Sequence, residues 1–212
     1  MLVERLRGGP WGQNCFLVAE GDQAVLVDPG GRTEALLERL ASGGLRLVAI
    51  INTHGHFDHI GAVHPLVAAT SVPFYISARE VPVMKTTNMM RFIFKSKDKV
   101  VVPTEFVDLD QVGGELTLGG IRFECIPTPG HTPGGHCFRV GGHLFSGDTV
   151  LRSMPGSAEL PGGNAADLER SLALLATLPR ELILHAGHGD DTTLGETLDA
   201  IAERTTEPAG GS

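Results

Sequence analysis

The stretch Thr53-His54-Gly55-His56-Phe57-Asp58-His59 sets four side chains able to bind a metal within six residues. It follows directly on an apolar run, Leu47-Val48-Ala49-Ile50-Ile51. A short, continuous run rich in branched side chains predicts a buried strand. Beyond the cluster, Ile60, Val63 and Val67 recur at helical spacing, so one helix is expected there. The four side chains then stand at the C-terminal mouth of a strand, on the turn into a helix, where open α/β folds carry their chemistry. His54 and His56 are two apart and can converge from an extended turn, whereas the adjacent Asp58 and His59 diverge. That arrangement favours two cations over one. Burying these groups together without a cation would leave polar atoms unsatisfied. A structural zinc site would close four ligands around one ion, usually with cysteines, and no cysteine is near.

The same pattern returns along the chain. Ile121-Arg122-Phe123-Glu124-Cys125-Ile126 alternates as a half-exposed strand does and runs into Pro127-Thr128-Pro129-Gly130-His131-Thr132-Pro133. His136–Val140 and His143–Ser146 read as a hairpin about Gly141-Gly142, and the second strand ends at Gly147-Asp148-Thr149. Leu182-Ile183-Leu184 reads as the last strand and leads to His185-Ala186-Gly187-His188-Gly189. Upstream, Cys15–Ala19 and Ala24–Val27 are strands joined at Gly21-Asp22, and Asp28-Pro29-Gly30-Gly31 closes the second. Asp28 is either the acceptor that fixes the tautomer of a ligating imidazole or a turn-forming aspartate. Thr33 is expected to cap a helix carrying Leu36, Leu37 and Leu40, and Asn164 with Asp167 to start another carrying Leu168, Leu172 and Leu175. A final helix carries Leu194, Leu198 and Ile201.

With 212 residues the chain suits one domain, expected over 1–206, with a disordered tail at 207–212. Its 17 basic and 25 acidic residues disfavour nucleic acid or an anionic membrane as partner. Cys15, Cys125 and Cys137 are odd in number and widely spaced, so they form neither a disulfide framework nor a zinc pair. No run approaches the ~20 apolar residues of a membrane span, and Met1–Gly12 holds no signal-peptide core. A soluble, cytoplasmic protein is expected. One segment departs from the acidic trend. Between Val81 and Lys97, Lys85, Arg91, Lys95 and Lys97 stand without an acid, interleaved with Met84, Met89, Met90, Phe92 and Phe94. It reads either as a lid for an anionic substrate with an apolar part or as an amphipathic helix packing its Met/Phe face on the core.

Taken together, His-x-His-x-Asp-His at 54–59, Gly130-His131, Gly147-Asp148-Thr149 and Gly187-His188-Gly189 closely resemble the metallo-β-lactamase-fold hydrolase superfamily. The resemblance spans nearly the whole chain, from about Gln13 to Glu196. Within that superfamily the chain is most similar to short, single-domain glyoxalase II-like proteins, the hydroxyacylglutathione hydrolases. The resemblance implies an α/β (α+β) fold, a four-layer αβ/βα sandwich with a dinuclear site at one edge between the sheets. It implies that His54, His56 and His131 hold one metal, that Asp58, His59 and His188 hold the other, and that Asp148 bridges them. The implied cofactors are two divalent ions, zinc first, with iron or manganese accepting the same ligands. His64, His136, His143 and His185 match no ligand slot, and His185, close to His188, comes nearest to an exception.

The implied reaction is hydrolysis of a 2-hydroxyacyl thioester of glutathione such as S-lactoylglutathione, a small-molecule substrate. The cation pair makes hydroxide available at neutral pH and stabilises the oxyanion. Asp58 and Asp148 are the expected catalytic carboxylates, orienting the nucleophile or handling its proton. Two features depart from the glutathione-specific pattern. Larger glyoxalase II enzymes carry a helical C-terminal extension with basic residues, whereas this sequence stops soon after His188. Relatives also carry Gly-Arg-[Ser/Thr]-Asp after the bridging aspartate, where Gly156-Ser157-Ala158-Glu159 lacks the arginine. Lys85, Arg91 and Arg152 are the cations the sequence offers in its place. The rivals are an iron persulfide dioxygenase using His54, His131 and Asp148 as a facial triad, and a lactonase. Lactonases of this fold commonly place a tyrosine after the bridging aspartate, where Thr149-Val150-Leu151 has none. Class B1 β-lactamases have arginine at the place of His59. A nuclease is disfavoured by acidity and size, and a non-catalytic module would not need to keep every ligand.

Overall fold

A computed structural model describes residues 1–8, 12–95 and 99–206. Lys97 and the tail segment 207–212 lie outside the described residues. Elements are numbered in chain order. The first six-stranded sheet runs β1 (Leu2–Gly8), β2 (Gln13–Glu20), β3 (Gln23–Val27), β4 (Arg46–Ile51), β5 (Phe74–Ile76) and β6 (Val107–Asp108), side by side in that order. Pairing is antiparallel from β1 to β3 and parallel from β3 to β6. The second sheet has the spatial order β14 (Thr192–Thr193), β13 (Ile183–Ala186), β10 (His143–Gly147), β9 (His136–Val140), β8 (Ile121–Pro127) and β7 (Glu115–Leu118). Its strands pair antiparallel except β10 with β13, which are parallel.

Side-chain alternation along the strands builds the layers. Phe16, Val18, Val25, Val27, Ala49 and Ile51 of the first sheet meet Ile121, Phe123, Cys125, Phe138, Val140 and Phe145 of the second in one buried cluster. The alternate residues Cys15, Leu17, Ala19, Ala24, Leu26 and Ile50 face outward onto helices α1 (Thr33–Ser42), α2 (Phe57–Ile60), α3 (Val63–Thr70) and α4 (Val81–Ile93). Leu109 of α5 (Leu109–Val112) joins the cluster between the sheets. On the far side, Ile126, Cys137, Leu144 and Leu184 pack against Leu175 of α6 (Ala165–Leu175) and Leu194 of α7 (Leu194–Thr206). The result is the expected four-layer αβ/βα sandwich. It also explains why β2 and β4 read as unbroken apolar runs: both faces of the first sheet are covered. Each fully buried Leu, Ile or Phe stabilises the fold by roughly 1.5–3 kcal/mol over leaving it exposed.

Several local expectations are corrected. The single helix expected behind the ligand cluster is two, α2 and α3, separated at Gly61-Ala62. There the Ala62 N–H donates to the Pro29 carbonyl at 2.9 Å instead of continuing a helical ladder. Thr33 is the first residue of α1 and not its cap; Arg32, in the left-handed region, precedes it and supplies no side-chain cap. Asn164 does cap α6, accepting from the Asp167 N–H at 3.1 Å. The strand ending near Leu184 is not the last, since β14 follows it. After Asp148, β11 (Val150–Leu151) pairs with β12 (Met154–Pro155) as a small separate ribbon that the sequence reading did not contain. β1 was not foreseen. Among the described residues no helix is long and apolar enough to cross a membrane. All three cysteines are free and buried.

Candidate metal centre

Four loops at strand ends converge at one edge between the sheets. The loop after β4 carries His54 and His56, and α2 carries Asp58 and His59. His131 follows β8, Asp148 follows β10, and His188 follows β13. All seven expected side chains meet there. Donor atoms of His54, His56 and His131 lie within 4.8 Å of one another, as do those of Asp58, His59 and His188. Asp148 stands between the groups. Its Oδ1 is 3.5 Å from His59 Nε2, and its Oδ2 is 3.8 Å from His131 Nε2 and 3.6 Å from His188 Nε2. The two groups adjoin closely, with the His54 and His59 rings 4.1 Å apart.

Hydrogen bonds behind the rings decide which nitrogen faces the centre. Asp28 is buried at the end of β3. Its Oδ1 accepts the Thr53 N–H at 2.7 Å, and its Oδ2 accepts the Thr53 hydroxyl at 2.6 Å and the His59 Nδ1–H at 3.1 Å. With its proton committed to Asp28, the Thr53 hydroxyl can only accept from His54 Nδ1–H, 3.0 Å away. His131 Nδ1–H donates to the Ser157 carbonyl at 2.6 Å. These partners hold His54, His59 and His131 in the tautomer whose Nε2 lone pair points inward. Asp28 is therefore an acceptor for an imidazole, the first of its two sequence readings.

Three of the inward atoms lack a hydrogen-bond partner. His54 Nε2, His59 Nε2 and Asp148 Oδ1 are buried and make no hydrogen bond among the described residues. Leaving each so would cost about 1–3 kcal/mol. His56 Nδ1 and His131 Nε2 stand 3.0 Å apart, close to the roughly 3.3 Å between two nitrogens on one tetrahedral zinc. Mixed imidazole and carboxylate donors with their lone pairs aimed at shared points fit divalent cations. The close packing needs Gly187, where a Cβ would fall 2.2 Å from Asp148 Oδ1 and 2.6 Å from His59 Cε1.

The electrostatics divide the same way. Burial, then the neighbouring imidazoles, holds His54 well below the usual histidine range. Burial and His131 bring His56 down to about 4. Burial alone would lower His59 as well, but Asp148, Asp58 and Asp28 push it up to about 10. Burial opposes a charge on His188 too, and its hydrogen bond to Asp58 still raises it. Burial would raise Asp58, yet His59 and His188 hold it below the usual carboxylate range. In the metal-free protein His54 and His56 thus offer neutral lone pairs, whereas His59 carries a second proton on Nε2 that a cation would have to displace, its Nδ1–H staying on Asp28.

A 240 Å³ cavity opens on the centre. His56, Asp58, Asp148 and His188 form its polar side, and Phe57, Met90, Phe94 and Leu160 its apolar side. Met84 and Met90 of α4 pack on the core, as the amphipathic-helix reading expects, and Met90 with Phe94, just beyond the helix, also walls the cavity. Lys85 is exposed, and Arg152 lies 4.0 Å from Asp190. Neither lines the cavity. Three supports escaped the sequence reading. Asn14 Nδ2 donates to the Ala186 and Gly189 carbonyls at 2.9 and 2.7 Å, holding the His188 loop. Asn52 Nδ2 donates to the His59 carbonyl at 2.9 Å. Buried Glu80 spans two of the loops. The four histidines set aside stay out of the centre. His185 lies 2.9 Å from His143 and 3.2 Å from Asp191, stacked on Phe145, and His136 bonds the Gly134 carbonyl. His64 is exposed on α3.

Residues 8–188 match the family model described as the metallo-beta-lactamase superfamily. The chain belongs to this superfamily. A probable metallo-hydrolase of Bacillus subtilis, YqgX, is 30% identical, the match covering 98% of this chain and 97% of that protein. The hydroxyacylglutathione hydrolase GloC of Haemophilus influenzae is 32% identical over 87% of this chain and 89% of its own length. Among solved structures, the di-iron-bound form of TTHA1623 superposes with a TM-score of 0.86 at 35% identity, over 94% of this chain and 98% of that one. As a member of the metallo-β-lactamase superfamily the chain is a metallohydrolase, and its His/Asp cluster fits a divalent-metal site.

Proposed function

We propose that the protein is a dinuclear hydrolase of acyl thioesters of the hydroxyacylglutathione type. His54, His56 and His131 would hold one divalent cation, Asp58, His59 and His188 the second, and Asp148 both. The observation that carries this reading is the set of inward, unpartnered donor atoms, His54 Nε2, His59 Nε2 and Asp148 Oδ1, arranged around two adjoining points. When bound, such a cation pair supplies Lewis acidity and lowers the pKa of water to near neutrality. The chain's own residues do the rest. Asp28, Thr53 and the Ser157 carbonyl keep three imidazoles in the lone-pair-inward tautomer. Asp58 and Asp148, both on the cavity wall, orient the attacking water and receive its proton. Phe57, Met90, Phe94 and Leu160 exclude water from one side of the cavity and receive the apolar part of the acyl compound.

The thioester class is supported by the likeness to GloC. Zinc is the first choice of metal, and the likeness to a di-iron form keeps iron beside it. The test pairs elemental analysis with turnover of S-lactoylglutathione, glutathione persulfide and a lactone. Release of glutathione thiol and free acid from the thioester, without oxygen uptake, is the expected result. Oxygen uptake with persulfide, or turnover of the lactone alone, would overturn the thioester reading.

A further inference from the structure

We infer that Glu80, at the start of α4, is a positioning residue that ties the His54/His56 loop to the His131 loop and so sets the spacing of the first three metal ligands. The inference rests on the dinuclear reading above. Glu80 is fully buried, at 0% exposure. Its Oε2 accepts the Gly55 N–H at 2.8 Å, and its Oε1 accepts the Gly134 N–H at 2.6 Å. Gly55 sits between His54 and His56, and Gly134 lies three residues beyond His131. One carboxylate thus bonds the backbone of two loops that are nearly eighty residues apart in the chain.

The surroundings are shaped to this contact. A Cβ on Gly55 would fall 2.8 Å from Met84 Cγ and 3.1 Å from Glu80 Oε2. A Cβ on Gly134 would fall 2.6 Å from Ser77 Oγ. Both loops reach the carboxylate because neither carries a side chain there. His56 Nδ1 and His131 Nε2, on the same two loops, stand 3.0 Å apart. The carboxylate and this pair of nitrogens therefore join the same two loops at separate points. Burial pushes the Glu80 carboxyl up, and the Gly55 and Gly134 N–H groups, with the Thr132 side chain, offset part of that. A buried carboxylate is costly to keep, and its two acceptor oxygens match two backbone donors as no other side chain of this length can. Glutamine has one acceptor and would turn its NH₂ toward one of the two N–H groups.

The test is zinc binding by the full chain, wild type against Glu80→Gln, measured by competition with a chromophoric chelator at a temperature where both are folded. Loss of such an outer partner is expected to weaken metal binding 10–100-fold. A role confined to stability would lower the unfolding midpoint and leave zinc affinity unmoved. Affinity within twofold of wild type would overturn the inference while leaving the metal reading intact. Failure of the wild type to bind zinc would remove both. Should Glu80→Gln not fold, amide hydrogen exchange of the metal-free wild type decides. Protection of the Gly55 and Gly134 amides of at least ~100-fold is expected for buried, bonded groups, and exchange at unprotected rates would overturn the clamp.

Discussion

Replacing Asp28 by asparagine removes a single charge and one acceptor from behind the centre, and its consequences can be followed atom by atom. Three donors converge on this carboxylate: Thr53 N–H, Thr53 O–H and His59 Nδ1–H. Asparagine offers one oxygen and one NH₂. If the oxygen keeps the Thr53 N–H, the NH₂ faces His59 Nδ1, which must become the acceptor. His59 Nε2 then carries the proton and its inward lone pair is lost. If the amide turns the other way, its NH₂ meets the Thr53 N–H, and a buried donor is orphaned at a cost of about 1–3 kcal/mol. The expected loss in affinity at the Asp58/His59/His188 site is 10–100-fold, about 1.4–2.7 kcal/mol. The expected fall in the unfolding midpoint is roughly 2–12 °C for a chain of this length. Chelator competition reads the first quantity and calorimetry of the metal-free protein the second. An Asp28→Asn protein that binds two equivalents of zinc with wild-type affinity would refute the tautomer reasoning.

Further consequences are as direct. His54→Ala or Asp148→Ala should abolish thioester turnover while far-UV circular dichroism stays close to wild type; a wild-type rate in either would remove it from the catalytic machinery. Metal-free protein should be most stable near pH 6.5, by thermal unfolding in chelator. His59, raised to about 10, lends stability in full below the unfolded value of 6.5 and loses it as pH climbs toward 10; His56, lowered to about 4, lends stability above 6.5 and loses it as pH falls toward 4. A midpoint that rises steadily from pH 7 to pH 9 would contradict this. Phe94→Ala should raise KM for thioesters with an apolar acyl group about 5–10-fold with little change in kcat, the effect of losing roughly 1–1.4 kcal/mol of uniform binding. Equal KM values would take Phe94 out of substrate contact.

What could be read from the sequence was whatever local chemistry determines. Ligand side chains at the ends of apolar runs gave away the four loops, because a strand mouth is where polar groups can gather without burial inside a sheet. Donor atoms of Asp58 and His59 gather with His188 and those of His54 and His56 with His131, while His59 also adjoins Asp28 and His54. What escaped depends on distant partners. β1 alternates weakly, as Leu2-Val3-Glu4-Arg5-Leu6-Arg7, because it is an edge strand. Its charges are matched far along the chain, Arg5 to Asp190 and Asp191 and Glu4 to Arg39. Helical periodicity through Ile60, Val63 and Val67 hid the break at Gly61-Ala62, which is set by contact with Pro29. Glu80 stands among apolar residues at a helix start, and nothing local distinguishes it from a solvated acid. Ser157, where an arginine was expected, serves through its carbonyl, a role independent of residue type.

Whether two cations share this edge of the sandwich is decided by anomalous diffraction from crystals grown with zinc. Two peaks are expected, one among His54, His56 and His131 and the other among Asp58, His59 and His188, with Asp148 reaching both. A single peak, or none within these groups, would contradict the dinuclear reading.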